Sequence, residues 1–213
     1  MDSAGTNNYA INDLIRRVDA TYRIRINAAI RLRNSCNHYK KLNMYYSALI
    51  TGVSIITIGF DTKFLGFDVS NIVLMLSIVL SYFAFHISEQ NLQERAYRME
   101  ETYRELDKLR NKLTIYFDHY SKEECTEEFC KKMYKQYEQI ISNIENHLDI
   151  DYKKFILYQY TKKINMECNE EKKCNIIKNE ISKYEWAVKF KSTMQYIIPM
   201  ILIIIIMVFK EKK

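Results

Sequence analysis

Glycine and proline are scarce in this chain, whose 213 residues include four glycines and one proline. Both numbers are far below ordinary usage, so few residues would interrupt a helix. The sequence has no glycine-rich phosphate loop, no nucleophile elbow and no HExxH pattern, and its first twenty residues contain no apolar run typical of signal peptides. These absences predict a nearly all-helical protein that is not an enzyme and has no cleavable signal peptide.

The five cysteines do not follow the spacing of a usual zinc site. Cys125 and Cys130 are separated by four residues, Cys168 and Cys174 by five, and Cys36 stands alone. Paired cysteine ligands of zinc most often have two intervening residues and a second such pair at a fixed distance, and neither spacing here matches that pattern. We therefore expect reduced thiols in a cytosolic domain, and we predict neither a metal nor a cofactor.

The apolar residues are concentrated in three blocks: 43–60, 71–87 and 194–209. A membrane-spanning helix needs about 20 predominantly apolar residues, with a lower limit near 17. The first two blocks meet this requirement, and the short connection between them predicts a tight antiparallel hairpin. Buried helices of a soluble core are the alternative, but no other part of the chain is apolar enough to enclose them.

The third block, MQYIIPMILIIIIMVF, covers residues 194–209. At about 1.5 Å per residue it is roughly 24 Å long, which is less than the roughly 30 Å of a hydrocarbon core. A tilted short span and a helix that dips into the bilayer both remain open. Because proline removes a backbone donor and clashes with the preceding turn, we expect Pro199 to end or kink the helix at Ile198.

Positive charge precedes the first block: eight Arg and Lys but only Asp13 and Asp19 lie between residues 11 and 41. The connection between the first two blocks holds a single Lys. The positive-inside rule then predicts that both flanks of the hairpin are cytosolic and that the connection is outside. No nucleic-acid recognition motif accompanies the charges, so we expect lipid headgroups rather than DNA as the partner. The predicted membrane-surface residues are Arg23, Arg25, Arg31, Arg33, Lys40 and Lys41.

Together these patterns predict an all-α membrane protein with four regions. They are a cytosolic basic amphipathic helix (1–42), a transmembrane hairpin (43–87), a long cytosolic helical bundle (88–193) and a C-terminal hydrophobic segment with a basic tail (194–213). We expect the second span to continue into the cytosol as one stiff helix, and residues 163–175 to form a loop. A stripe with three- and four-residue spacing follows residue 88 and is typical of coiled coils. Its residues include Leu92, Met99, Tyr103 and Leu106.

Small and hydroxyl-bearing residues form faces on the two hairpin helices, because helical residues advance by roughly 100° each. Such faces are typical of tightly packed membrane helices, in which Ser and Thr also bond their own backbone. They could instead line a water-filled path, which a single hairpin cannot enclose, so that alternative requires several copies. The candidate pore-lining residues are Ser47, Thr51, Ser54, Ser77 and Ser81. The candidate packing face between copies contains Ala48, Gly52 and Gly59 in addition to the coiled-coil stripe.

Glu145, His147 and Asp151 are close in sequence, and the last two are spaced to face each other on a helix. Such a trio can bind a metal ion, but a polar helix end uses the same residue types.

Three segments resemble the SLATT proteins, the two-transmembrane effectors of bacterial nucleotide-second-messenger and reverse-transcriptase conflict systems. They are TYRIRINAAIRLR (21–33), the hairpin, and ERAYRMEETYRELDKL (94–109). A fourth segment, NIENHLDIDY (143–152), is similar to a segment of one SLATT branch, which we identify as reverse-transcriptase-associated. The resemblance implies a multi-pass protein of the bacterial inner membrane that forms oligomeric pores and kills or arrests an infected cell. A nucleotide second messenger, a partner reverse transcriptase or a nucleotidyltransferase would be the trigger. A non-conducting coiled-coil tether or adaptor that assembles partner proteins is the alternative function.

Overall fold

A computed structural model of the chain describes residues 3–59, 63–64, 67–119, 127–142, 145–162 and 168–211. Side chains are described for residues 9–56, 68–116, 127–142, 145–162, 171–201 and 204. The elements are α1 (Ser3–Gly59), β1 (Lys63–Phe64), β2 (Phe67–Asp68), α2 (Val69–Glu89), α3 (Leu92–His119), α4 (Glu127–Ser142), α5 (Asp149–Lys162) and α6 (Cys168–Glu211). Apart from two strands of two residues each, the regular elements are helices, which confirms the predicted all-α fold.

The connection between α1 and α2 contains the short strands β1 and β2. They pair antiparallel, with Lys63 opposite Asp68 and Phe64 opposite Phe67. Two paired residues on each side form a narrow turn, and α2 begins directly after β2. The strands therefore join two long helices through a connection as short as the sequence predicts.

The chain divides into two compact units. The bundle unit comprises Met1–Leu32 and Gln93–Ile181, and the apolar unit comprises Arg33–Leu92 and Ser182–Lys213. The division differs from the four predicted regions, because α1 and α6 each contribute residues to both units. The sequence boundaries follow changes in hydropathy, whereas the units follow the packing of helices that run past those changes.

The bundle unit is built on a core of aliphatic side chains that share one face of each helix. Leu14 and Val18 of α1 pack with Leu106, Leu109 and Leu113 of α3 and with Met133 of α4, and all six are at most 1% exposed. The spacing of three, four and seven residues along α1 and α3 creates this apolar stripe. Burying each such side chain stabilises the fold by about 1.5–3 kcal/mol.

This core corrects the predicted contact between copies through the stripe after residue 88. Leu92, Met99 and Leu106 are 9%, 1% and 0% exposed within a single chain, and Tyr103 is half-buried with its ring against Tyr22. Leu106 packs against Leu14 and Val18 of α1, and Met99 Sδ lies 3.3 Å from Arg25 Nη1 of α1. Packing inside one chain therefore replaces the coiled coil between copies for Met99 and Leu106.

Two predicted helix boundaries are wrong. The second span does not continue as one stiff helix: α2 ends at Glu89, and Asn91, with φ 46°, precedes α3. Asn tolerates this left-handed conformation better than most residues, so it can terminate a helix without glycine. The loop predicted at 163–175 is also wrong in its second half, since α6 already begins at Cys168; residues 163–167 lie outside the described part of the chain.

Of the two outcomes expected for Pro199, the helix end does not occur, and the kink stays a prediction. The helix α6 does not end at Ile198 but continues to Glu211, with Pro199 in its interior. Internal proline costs a helix about 3 kcal/mol or more unless the surroundings compensate for the lost hydrogen bond.

The apolar unit exposes most of its hydrophobic surface. The segment Val69–Tyr116 contains the one window among the described residues that is long and apolar enough to cross a membrane, and 6% of that window is buried. Leu74, Met75 and Ile78 of α2 are between 62% and 66% exposed. A soluble core helix would hide these side chains, whereas a lipid bilayer favours their exposure.

Candidate functional site

The connection between α4 and α5 carries a polar junction in the bundle unit. Asp151, in the first turn of α5, is 1% exposed. Its carboxylate accepts hydrogen bonds from Arg31 Nε at 3.1 Å and Arg31 Nη2 at 2.9 Å, and from the backbone N–H of Leu148 at 3.1 Å. One side chain therefore both pairs with α1 and caps the N-terminus of α5.

Arg25 lies beside this connection and is 4% exposed. Its Nη1 donates to the backbone carbonyl of Glu145 and lies 3.3 Å from Met99 Sδ, while its Nε has no hydrogen-bond partner among the described residues. Burial lowers the pKa of Arg25, against the attraction of Glu145 and Asp151. A guanidinium nevertheless stays charged in proteins, so the junction holds a buried cation.

Two further contacts complete the junction. Arg95 of α3 donates to the Glu145 carboxylate at 2.8 Å, and Asn27 of α1 donates to the backbone carbonyl of Asp151 at 3.1 Å. Residues from α1, α3 and α5 thereby meet at the α4–α5 connection, of which residues 145–148 are described and have no regular structure. Such charge-assisted bonds fix the relative register of the helices because their geometry is demanding.

The junction corrects part of the predicted membrane surface. Arg25 is buried, Arg31 is paired with Asp151, and Arg23 pairs with Asp19 at 3.0 Å and stacks over the ring of Tyr158. These three side chains bind the protein, since helices pack against that part of α1. Arg33, Lys40 and Lys41 are exposed, so their contact with lipid headgroups stays a prediction.

The trio Glu145, His147 and Asp151 forms the polar end of α5. Both carboxylates are engaged by arginine, and the His147 ring lies 6.3 Å from the ring of Tyr152. Within the described ranges no group of three His, Cys, Asp or Glu side chains could hold a metal ion. Burial, and then the nearby Arg25 cation, lower the pKa of His147.

The candidate pore-lining hydroxyls all bond their own helix. Each donates to a backbone carbonyl four residues earlier, at 2.7–3.0 Å: Ser47 to Asn43, Thr51 to Ser47, Ser54 to Ile50, Ser77 to Val73 and Ser81 to Ser77. A hydroxyl satisfied in this way can face lipid, a neighbouring helix or water, because one lone pair remains available. The bonds are those expected for packing and are equally compatible with a water-filled path.

The predicted packing face on α1 is uncovered in a single chain. Ala48 and Gly52 are exposed, and a Cβ atom added at Gly52 would meet nothing within 4 Å. Gly59 ends α1, and its surroundings lie outside the described side chains. The small face therefore has room for a close neighbour, which stays a prediction.

Pro199 is the centre of a polar cluster in the apolar unit that the sequence interpretation missed. Because proline has no N–H, the carbonyl of Gln195, four residues earlier, loses its helical donor. The hydroxyl of Tyr46 donates to this carbonyl at 2.9 Å, and the hydroxyl of Tyr45 donates to the next one, that of Tyr196, at 2.9 Å. Two side chains of α1 thus satisfy backbone acceptors of α6 at the proline.

His38 extends this cluster by one turn. Its Nε2 is 2.8 Å from the side-chain oxygen of Gln195, and its Nδ1 is 3.2 Å from the Ser192 hydroxyl. The Tyr196 ring lies between the His38 and Tyr45 rings, at centroid distances of 5.9 and 5.1 Å. A proline inside an apolar block, with two tyrosines at the start of another, is the sequence signal that could have indicated this contact.

The sequence pattern of the SMODS and SLOG-associating 2TM effector domain family 5 matches residues 7–210. The chain belongs to this family. The match extends beyond the resembling segments to α6, which includes the third apolar block. Comparison with curated proteins and with solved structures finds no match. This chain is therefore a two-transmembrane effector domain of the SLATT type, and the polar junction joins residues of three resembling segments, 21–33, 94–109 and 143–152.

Proposed function

We propose that several copies of this effector assemble in the bacterial inner membrane and permeabilise it when a conflict system is activated. The observation that carries the proposal is the surface of the apolar unit. Val79, Tyr82 and Phe85 of α2 are between 57% and 73% exposed, and the small face around Gly52 on α1 is open. Lipid covers the first surface well, whereas a close second helix fits the other.

The third apolar block supports an assembly of more than a hairpin. Tyr46 of α1 lies beside Phe83 of α2, with ring centroids 6.2 Å apart, and Tyr45 lies beside Tyr196 of α6. Because of these contacts, the start of the first block, the end of the second block and the start of the third block lie side by side. Three helices still cannot enclose a water-filled path, so conduction requires several copies.

The hydroxyl faces are the proposed lining of that path. A Ser or Thr oxygen can replace part of the hydration shell of an ion, and a ring of leucines would instead gate the path by dewetting. The side chains of Ser77 and Ser81 are satisfied by their own helix and keep an acceptor lone pair. They can therefore face an ion without a structural rearrangement.

Conductance across a planar bilayer tests the proposal. The purified chain should pass current with the trigger of its own system, and Ser77→Leu combined with Ser81→Leu should abolish the current without changing the oligomer mass. Ile78→Leu with Val79→Leu is the matched control, since it adds leucine to the same helix on another face. Normal current in the serine variant would remove these residues from the path.

A non-conducting tether is the second candidate function. The bundle unit has the exposed charged surface and rigid core that an adaptor needs, and neither feature requires ion flow. The two functions differ in one measurement. If the wild-type oligomer passes no current with any of a nucleotide second messenger, a partner reverse transcriptase or a nucleotidyltransferase, the tether is the function.

We propose a cytosolic bundle unit, because the charge asymmetry around the hairpin favours it. A cysteine placed at the exposed Ser142 of α4, in a chain without other cysteines, should resist an impermeant thiol reagent in intact cells. Labelling of this cysteine before lysis would show that the bundle unit lies outside the cytosol. The same cysteine should react after the membrane is opened.

A further inference from the structure

An aromatic pair on α6 is exposed just before the third apolar block. The rings of Trp186 and Phe190 stack at a centroid distance of 5.2 Å, with 14° between their planes. Trp186 is 67% exposed and Phe190 is 50% exposed. Large aromatic side chains are seldom left in water as a stacked pair, so this surface indicates a partner.

The pair continues the exposed apolar face of the third block. At roughly 100° per residue, Trp186, Phe190, Ile197 and Ile204 fall within about 40° of one another. Ile197 and Ile204 are 39% and 55% exposed. The residues of α6 that contact His38, namely Ser192 and Gln195, lie at least about 120° away on the same geometry. The aromatic pair is therefore on the side of α6 that faces away from α1.

The length of α6 matches this extension. The sixteen residues of the third block are too short to cross a bilayer, but about 20 residues from Phe190 to residue 209 give roughly 30 Å, the thickness of the hydrocarbon core. Trp186 then lies about 6 Å further out, within the headgroup layer of about 5–7 Å on each side. Tryptophan is enriched at this level because its ring is apolar and its N–H is a donor.

Charge supports the same location. Between residues 183 and 191 the sequence has three lysines, Lys183, Lys189 and Lys191, and one acidic residue, Glu185. The three lysine side chains are exposed. Lysine near the end of a membrane helix extends its ammonium group to the headgroups, where anionic lipids attract it. We propose that the Trp186–Phe190 pair anchors α6 in the lipid interface, with Phe190 at the hydrocarbon boundary and Trp186 among the headgroups. The anchor requires that the apolar unit is in a membrane, but it does not require a pore.

The single tryptophan of the chain makes the test direct, because the native protein reports its own position. The full chain is reconstituted in vesicles of zwitterionic and anionic phospholipid that carry bromine either near the headgroup end of the acyl chain or near its terminal methyl. Fluorescence of Trp186 should be quenched several-fold more by the shallow bromine than by the deep one. Aqueous acrylamide should quench it much less than in the unfolded chain.

Two matched chains calibrate the measurement, both with Trp186→Phe. Val79→Trp puts the probe near the middle of the α2 block, where the deep bromine should quench more. Tyr97→Trp puts it on an exposed position of α3 in the bundle unit, where acrylamide should quench strongly and neither lipid should. If brominated lipid does not quench the Val79→Trp probe, the proposal that the apolar unit lies in a membrane is wrong. If brominated lipid quenches that probe but not Trp186 of the native chain, only the proposed anchor is wrong.

Two results for the native chain would overturn the anchor. Strong acrylamide quenching without lipid quenching means that Trp186 is in water. Protection from both acrylamide and bromine means that protein covers the pair, and a second copy of the chain is then its partner.

Discussion

The bundle unit and the apolar unit satisfy their polar groups in different ways. In the bundle unit, polar side chains bond across helices, as in Arg31 with Asp151 and Arg95 with Glu145. In the apolar unit, the five candidate hydroxyls bond their own backbone, and bonds between helices gather near Pro199. Water can complete an imperfect bond at a solvated surface, whereas lipid cannot. Polar contact between the helices of the apolar unit is found beside the carbonyl whose helical donor Pro199 removes.

Removing Asp151 should have the largest effect on the bundle unit. Asp151→Ala leaves the half-buried Arg31 without its partner and exposes the Leu148 N–H, at a cost of about 3–5 kcal/mol for a broken buried pair. Thermal unfolding in detergent measures the loss. Glu94→Ala removes an exposed pair on α3, Glu94 with Arg98, and should cost well under about 1 kcal/mol. Equal losses for the two variants would show that the junction is not a structural centre.

Truncating Leu106 should lower the free energy of unfolding slightly less than Asp151→Ala does. It tests the difference in side-chain burial between the bundle unit and the apolar unit. Leu106 is fully buried in the bundle unit, so Leu106→Ala should destabilise it by about 2–5 kcal/mol. Leu74→Ala removes the same atoms from a side chain of α2 that is 62% exposed, and we expect almost no change. Oligomer mass is measured in the same samples. If Leu106→Ala lowers the mass but not the stability, the stripe does join copies after all.

Removing the tyrosine hydroxyls that bond α6 should lower the stability of the apolar unit moderately. Tyr46→Phe leaves the Gln195 carbonyl without a donor, which costs about 1–3 kcal/mol for a buried group. Pro199→Ala restores the helical N–H to that carbonyl, so Tyr46→Phe should cost less in its presence. The double-mutant cycle compares wild type, Tyr46→Phe, Pro199→Ala and the combined variant. The measurement is the temperature at which each reconstituted chain aggregates. Tyr45→Phe is the comparison, since its acceptor is the carbonyl of Tyr196.

Strictly additive effects of Tyr46→Phe and Pro199→Ala would contradict the link between the hydroxyl and the proline. The two changes act on one carbonyl, so they cannot be independent if the hydroxyl is its donor.

The sequence predicts the elements of this protein better than their partners. Scarcity of glycine and proline predicts the helices, and the spacing of Leu106 and Met99 predicts an apolar face. That face could equally meet another copy or α1, because periodicity does not identify the surface it packs against. Arg25 and Lys41 are both cations of the basic N-terminal segment, yet Arg25 is buried and Lys41 is exposed. Only the position of the α4–α5 connection distinguishes them.

The proline cluster shows a second limit of sequence prediction. Pro199 alone predicts a helix end or a kink, and the helix continues to Glu211, with the Tyr46 hydroxyl donating to the carbonyl that loses its helical donor and the Tyr45 hydroxyl donating to the next one. Those tyrosines are about 150 positions away in sequence. The local rule therefore did not identify the distant side chain that supplies the missing donor. The hydroxyl bonds within α2, in contrast, involve residues four apart and were anticipated.

The smallest predicted effect is a pH dependence confined to the bundle unit. The pKa of His147 is lowered from 6.5 in the folded chain, by burial and then by Arg25, with Asp151 and Asp149 opposing the shift. The unfolded chain therefore binds a proton first as the pH falls, so stability is complete above about 6.5 and declines below it until the folded imidazole is also protonated. Thermal unfolding between neutral and mildly acidic pH should show this decline, and His147→Gln should remove it. The effect is small because His147 keeps an exposed surface, so neighbouring residues remove only part of the water around its ring. A His147→Gln profile identical to wild type would exclude this histidine as the cause.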